Sequence, residues 1–151
     1  MTVRITQLNV QDYPKCSNIW DMNKQKALAD QFYNEIISGN RKTYIYSIDD
    51  EYIAEISLVY EMNDFNYTIP GKRAYVSRLI VKKEFRQRGI GKELVQFIKI
   101  KAKEEGFSEL SIGVDLDNYP ALKLYITSGF NQIVHIDEDE QGKFMKLLCV
   151  L

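Results

Sequence analysis

The sequence predicts a single α/β domain of residues 1–151, with one mixed sheet of about seven strands and about four helices. Apolar residues alternate with polar ones in several short runs, while other stretches repeat them at helical spacing. An apolar run at 73–81, a glycine turn, an amphipathic stretch and a second apolar run at 110–114 form a strand–helix–strand unit, which joins parallel strands. No repeat, linker or low-complexity tract divides the 151 residues.

Val3 to Leu8 alternates and starts the sheet. Asp12 to Gly39 follows as two helical pieces, with Leu28, Phe32, Ile36 and Ile37 on the expected buried face and Gly39-Asn40 as the stop. Lys42–Ile48 and Tyr52–Glu61 read as a hairpin around Asp49-Asp50-Glu51. Residues 62–72, rich in Asn, Asp, Pro and Gly, form a polar loop carrying Phe65 and Tyr67. Arg73–Val81 is the central strand. The next helix runs from Gly89 to about Glu105, with Ile90, Leu94, Ile98 and Ala102 on one face and Gly106 as its stop. Leu110–Val114 is a strand, and Pro120 suits the first turn of a short helix ending near Ser128-Gly129. Phe130–Ile136 and Lys143–Leu151 complete the sheet as a hairpin around the acidic segment 137–142.

The junction Val81-Lys82-Lys83-Glu84-Phe85-Arg86-Gln87-Arg88-Gly89-Ile90-Gly91-Lys92 carries the chemistry. Two glycines let a ligand approach the backbone, and the first amides of the following helix lack intrahelical partners. The helix dipole and Arg86, Arg88 and Lys92 favour an anion there. A Walker loop does not fit, because Arg86 replaces its first glycine and Glu93 follows Lys92. A dinucleotide fingerprint does not fit either, because Leu94 replaces the third glycine.

The remaining pattern, Arg-x-x-Gly-x-Gly behind a strand, resembles the acyl-coenzyme A pyrophosphate loop of the GCN5-related N-acetyltransferases (GNAT). Asn118, Ala121, Leu122, Tyr125 and Gly129-Phe130 resemble the second signature of that family at the expected distance downstream. Together the two signatures cover roughly residues 74–136. The resemblance implies a GNAT fold whose central strands splay apart for acyl-CoA, and an acetyl-CoA-dependent N-acetyltransferase. By it, the backbone of Leu79, Ile80 and Val81 would hold the pantetheine arm and acyl carbonyl. The amides of Arg86, Gln87, Arg88, Gly89, Ile90, Gly91 and Lys92 would hold the pyrophosphate. Tyr125 would stand near the thioester sulfur, and Asn118 would bond backbone or contact the arm.

Many relatives place a carboxylate on the central strand, but here it reads Tyr75-Val76-Ser77-Arg78-Leu79. Glu55 and Glu61 on the preceding strand are substitutes for a general base, since alternation puts both on one face with Ser57 unless a bulge intervenes. Glu55 is the preferred catalytic candidate, being mid-strand. An amine that arrives neutral would need no base. Trp20, Phe32, Tyr60, Phe65 and Tyr67 are candidates for an aromatic acceptor wall, with Asp21, Glu55, Glu61 and Asp64 to attract a cationic amine.

Composition narrows the partners. A net charge of −1 argues against a broad basic face for nucleic acid or membrane lipid. No apolar run reaches the length of a membrane span, and Cys16 and Cys149 form no paired-cysteine motif. A cytoplasmic location is the resulting expectation. With His135 as the single histidine, no metal site is expected. The resemblance implies acetyl-CoA as partner, the acidic candidates suggest a small-molecule amine, and neither cysteine lies in a recognised nucleophile setting, so direct transfer in a ternary complex is expected. A protein N-terminus or lysine as acceptor, a non-catalytic acyl-CoA sensor, and a homodimer stay open alternatives.

Overall fold

The structure, a computed structural model, describes residues 1–151. Strands β1 (Val3–Gln7), β2 (Arg41–Ile48), β3 (Glu51–Val59), β4 (Arg73–Val81), β5 (Glu109–Asp115), β6 (Phe130–Asp139) and β7 (Gly142–Val150) form one sheet in the order β1-β2-β3-β4-β5-β7-β6. Only β4 and β5 run parallel. Helices α1 (Lys26–Ser38), α2 (Ile90–Glu104) and α3 (Tyr119–Thr127) cover it, and the first of the two expected N-terminal helical pieces is a 3-10 stretch, Val10–Asn18. Pro14 lies inside that stretch and supplies no amide, and Asn9 caps it by accepting a hydrogen bond from the Gln11 amide at 3.1 Å. A single 3-10 turn, Lys83–Phe85, precedes α2.

Neighbouring strand residues point to opposite faces, so Tyr44 and Ile45 belong to different cores. Tyr44 packs with Ile56, Leu58 and Val76 beneath α2, whose Ile90, Leu94, Val95, Ile98 and Ala102 are buried. Ile45 packs with Leu8, Tyr13, Cys16, Trp20 and Phe32 beneath the 3-10 stretch and α1. Of the residues expected on the buried side of α1, Ile37 is 61% exposed. The i, i+4, i+8 row of Leu28, Phe32 and Ile36 meets the sheet, and Ile37 lies about 100° around from Ile36.

Both hairpins are tighter than the sequence suggests. Asp49 and Asp50 have φ of 50° and 68°, the two positive angles of a type I′ turn, and β3 starts directly at Glu51. Asp137, Glu138 and Asp139 extend β6, paired with Phe144, Lys143 and Gly142, instead of forming a loop. The far end of β3 is shorter than expected. Asn40 holds the Glu61 backbone by both its side-chain amide groups, at 2.8 and 2.9 Å, so the strand ends at Val59 and Glu61 stands exposed beyond it.

The 62–72 loop is fastened to the sheet rather than loose. Asp64 accepts from Lys146 at 2.6 Å, Arg73 donates to the carbonyls of Phe65 and Asn66, and Ser111 donates to the carbonyl of Tyr67. These bonds fix Tyr67 over β5 and against Tyr75, ring centroids 4.5 Å apart. Gly113 makes room for it: a Cβ there would lie 2.6 Å from the Tyr67 hydroxyl oxygen, but 3.5 Å from the next ring atom. Gly113→Ala is therefore expected to destabilise the fold by about 1–3 kcal/mol through overpacking, and to cost little in a Tyr67→Phe background. Urea unfolding of the four proteins measures this coupling; equal costs in both backgrounds would remove the hydroxyl contact from the account.

Candidate functional site

β4 and β5 pair over three residues only, Arg73 with Glu109, Ala74 with Leu110 and Tyr75 with Ser111. Beyond Tyr75 they separate. A bulge on β4 accompanies the separation: Glu55 opposes Ile80 and Ser57 opposes Ser77, so Arg78 and Leu79 together face a single β3 residue. Arg78 holds a φ of 64°, unusual for a residue other than glycine and a mark of a constrained site. The facing edges of Val76–Val81 and Ile112–Asp115 thus have no strand partner.

The glycine loop sits at the end of this gap. Gln87 and Gly89 both adopt positive φ, 63° and 83°, and turn the chain into α2 at Ile90. The six successive amides from Gln87 to Lys92 donate to no backbone or side-chain acceptor in the chain. Such a run of unpaired N–H groups at a helix start can cradle an anion. The expected set loses one member. The Arg86 amide donates to the Lys83 carbonyl at 3.3 Å, and the Arg86 guanidinium turns back to the Val81 carbonyl at 3.0 Å. Arg88 lies over the Phe85 ring at 5.0 Å. Gly89 is surrounded by open space, whereas a Cβ at Gly91 would press on Leu124 at 3.3 Å. The first glycine serves the turn and the second the packing of α2 on α3.

Two cavities flank the gap. One, of about 440 Å³, is lined by Phe32, Arg41, Ser77, Leu79 and Ile80 among others. The other, of about 370 Å³, is lined by Tyr67, Gly113, Asn118 and Phe144 among others. Tyr75 and Tyr125 line both. Tyr125 belongs to α3 and to the core beneath it, so it reaches these cavities through the space left by the separated strands. It is 8% exposed, and burial pushes its hydroxyl up to about 12, which keeps it a proton donor at any physiological pH. Asn118 caps α3, its Oδ1 accepting from the Ala121 amide at 3.3 Å, while also lining the second cavity.

Glu55 is 3% exposed and accepts a hydrogen bond from the Trp20 indole at 2.8 Å. Burial raises its carboxyl to about 7, against the opposing pull of Arg78, the Trp20 bond and Arg41. It shares a sheet face with Ser57, as expected, but lies under Trp20 rather than on a cavity wall. The other carboxylates expected to attract an amine are engaged elsewhere or distant. Asp64 is paired with Lys146, Asp21 accepts from the Lys24 amide at 2.9 Å, and Glu61 stands in the exposed segment after β3. Of the expected aromatic wall only Phe32 lines the first cavity; Tyr60 stacks on Phe107 and Phe65 is 85% exposed. His135 is an exposed partner of Asp137 at 3.2 Å, and no cluster of three or more metal-ligating side chains occurs.

Sequence reasoning missed Arg41, Arg78 and Tyr75. A signal existed for two of them: Arg78 is the one charge inside the apolar run Tyr75–Val81, and Arg41 leads the inward-facing series Arg41, Thr43, Ile45. No helix is long and apolar enough to cross a membrane.

Known proteins share this architecture. A protein named GCN5-related N-acetyltransferase 7, chloroplastic, of Arabidopsis thaliana is 40% identical over 60 residues, 40% of this chain and 22% of that protein. The match thus spans about a fifth of the length of that curated relative. A solved structure described as IAA acetyltransferase from Bacillus cereus superposes with a TM-score of 0.75 at 21% identity, covering 99% of this chain and 100% of the other. A GNAT family acetyltransferase from Elizabethkingia anophelis with acetyl-CoA bound gives 0.75 at 20% identity, covering 99% and 98%. The sequence itself matches the acetyltransferase (GNAT) family over residues 3–130, which spans the cradle, the separated strands and Tyr125, and the chain belongs to that family.

Proposed function

We propose that the protein transfers the acetyl group of acetyl-CoA to a small-molecule primary amine by direct attack in a ternary complex. The observation carrying this reading is the line of unpartnered backbone groups running from the β4–β5 gap to the amides of Gln87–Lys92, with Tyr125 at its inner end. An extended ligand bearing amides and a pyrophosphate at one end complements that line. The family membership and the CoA-bound relatives support the same reading.

In this mechanism the amides of Gln87–Lys92 bind the pyrophosphate, and Leu79, Ile80 and Val81 hold the arm and direct the thioester toward the 440 Å³ cavity. The neutral amine attacks the carbonyl carbon, forming the C–N bond and an oxyanion that a β4 backbone N–H stabilises. Collapse breaks the C–S bond and releases CoA thiolate. Tyr125 hydrogen-bonds the departing sulfur. A thiol titrates near 8.5, well below Tyr125 at about 12, so the hydroxyl stabilises the thiolate by hydrogen bonding and does not surrender its proton to it outright. Glu55 accepts the amine proton through water admitted beside Trp20 and Arg78. Its elevated carboxyl matches a base working near neutral pH.

Thiol release from acetyl-CoA with a panel of small amines tests the reading. Tyr125→Phe is expected to reduce turnover by about 10²-fold or more while CoA affinity holds. Unchanged turnover would return Tyr125 to packing, and CoA binding without release for any amine would make the protein a sensor.

Glu55 carries two pH signatures. As a base it must be ionised, so the wild-type rate climbs through about pH 7, and the deficit of Glu55→Gln is greatest from there up to the acceptor's own pKa. Its folded pKa is raised, so its contribution to stability is present below about pH 4.5 and lost as pH rises through about 7. Wild type should therefore lose about 3 kcal/mol relative to Glu55→Gln as the pH rises from about 5 to 8. Superimposable pH–rate profiles would remove Glu55 from the chemistry, and parallel stability profiles would remove its buried ionisation.

A further inference from the structure

We propose that the amine acceptor also carries a carboxylate, as an amino acid does, and that Arg41 and Arg78 receive it on the wall of the cavity that ends at Tyr125. The inference rests on the transferase reading above and names the class of its acceptor. Arg41 is 4% exposed, and a guanidinium so buried needs partners for its donors. Two are satisfied, Nε by Glu35 at 2.9 Å and Nη2 by the Ser77 hydroxyl at 3.1 Å. Nη1 is buried without a partner. The Nε of Arg78 is also buried and unpartnered.

The two guanidinium groups share an aromatic support. Arg41 lies 3.8 Å from the centre of the Phe32 ring and Arg78 5.7 Å from it, with Arg78 also 4.4 Å from Trp20. Stacking of this kind fixes the planar forks and leaves in-plane donors for a carboxylate. Both arginines and Phe32 line the same cavity, whose other wall is Tyr125 and the β4 bulge. The carboxylate lining it, Glu35, is already taken by Arg41. Glu55, the carboxylate acting on Arg78, is held by Trp20 below the wall. The lining therefore holds two positive charges against one negative charge, which favours an anionic group on a bound molecule. An amino acid can place its carboxylate on this wall and its amine toward the β4 bulge and Tyr125. A simple cationic amine would meet two arginines instead.

The test is titration calorimetry of the common α-amino acids and their primary amides into the CoA-loaded protein, with thiol release from acetyl-CoA read on the same panel. At least one amino acid should bind about 10-fold or more tightly than its amide, the strength of a charge-assisted hydrogen bond. Arg78→Gln should bring that ratio close to one through loss of acid binding. Arg41→Lys, which keeps the buried charge but not the fork, should lower it as well. Equal binding of acids and amides, or no binding by any acid, overturns the inference. Thiol release with any amine would then leave the transferase reading standing. Acid-selective binding that Arg78→Gln abolishes, with no release from any compound, upholds the anion wall and overturns the transferase reading instead.

Discussion

The parting of β4 from β5 after three residue pairs is the constraint on which the site depends. A sheet interior ordinarily pairs every N–H and C=O, because leaving such groups buried and unmatched costs free energy. Here the fold keeps an open seam between two central strands, and the neighbouring structure holds it open. The bulge at Arg78 and Leu79 bends β4 away, Tyr67 wedges over Gly113, and Tyr125 rises into the space from α3. Seven strands and two cores, one on each face, supply the rigidity that such an opening requires.

The seam also explains why both faces of the sheet contribute to one site. Tyr125 comes from the α3 side, whereas Phe32 and the Arg41 that lies over its ring belong to the α1 side. They meet at the cavity because the strands between them do not close. Buried polar groups line the same region: Arg41, Ser57, Ser77 and Glu55 all lie on or beside the face beneath α1. A fold that needed only packing would replace them with apolar residues at little cost. Their burial beside the seam is what makes this region the candidate site.

Much of this architecture was legible in the sequence because the relevant signals were local. Alternation identified the strands, and Gly39, Gly106 and Gly129 marked the turns after the helices. The cradle was legible because a basic glycine turn between a strand and a helix leaves orphan amides wherever it occurs. Hairpin lengths were less legible: the acidic segment 137–142 looked like a loop, but pairing with β7 turned most of it into strand. The charge of the cavity lining was less legible for a related reason. Charge type along the chain suggested carboxylates facing an amine, whereas tertiary pairing consumed Asp64 and buried Glu55, leaving two arginines on the wall. Partner assignment across the sheet is not a local property, so neither charge counts nor periodicity contained it.

If the amides from Gln87 to Lys92, which have no acceptor in the chain, bind a pyrophosphate, then CoA must protect them from solvent. Residue-resolved amide hydrogen exchange with and without CoA measures this directly. Fast exchange is expected at these six amides in the free protein and strong protection when CoA is bound, with little change at the C-terminal end of α2, a 15-residue helix length away. CoA binding that leaves the six amides unprotected would contradict their assignment to the pyrophosphate.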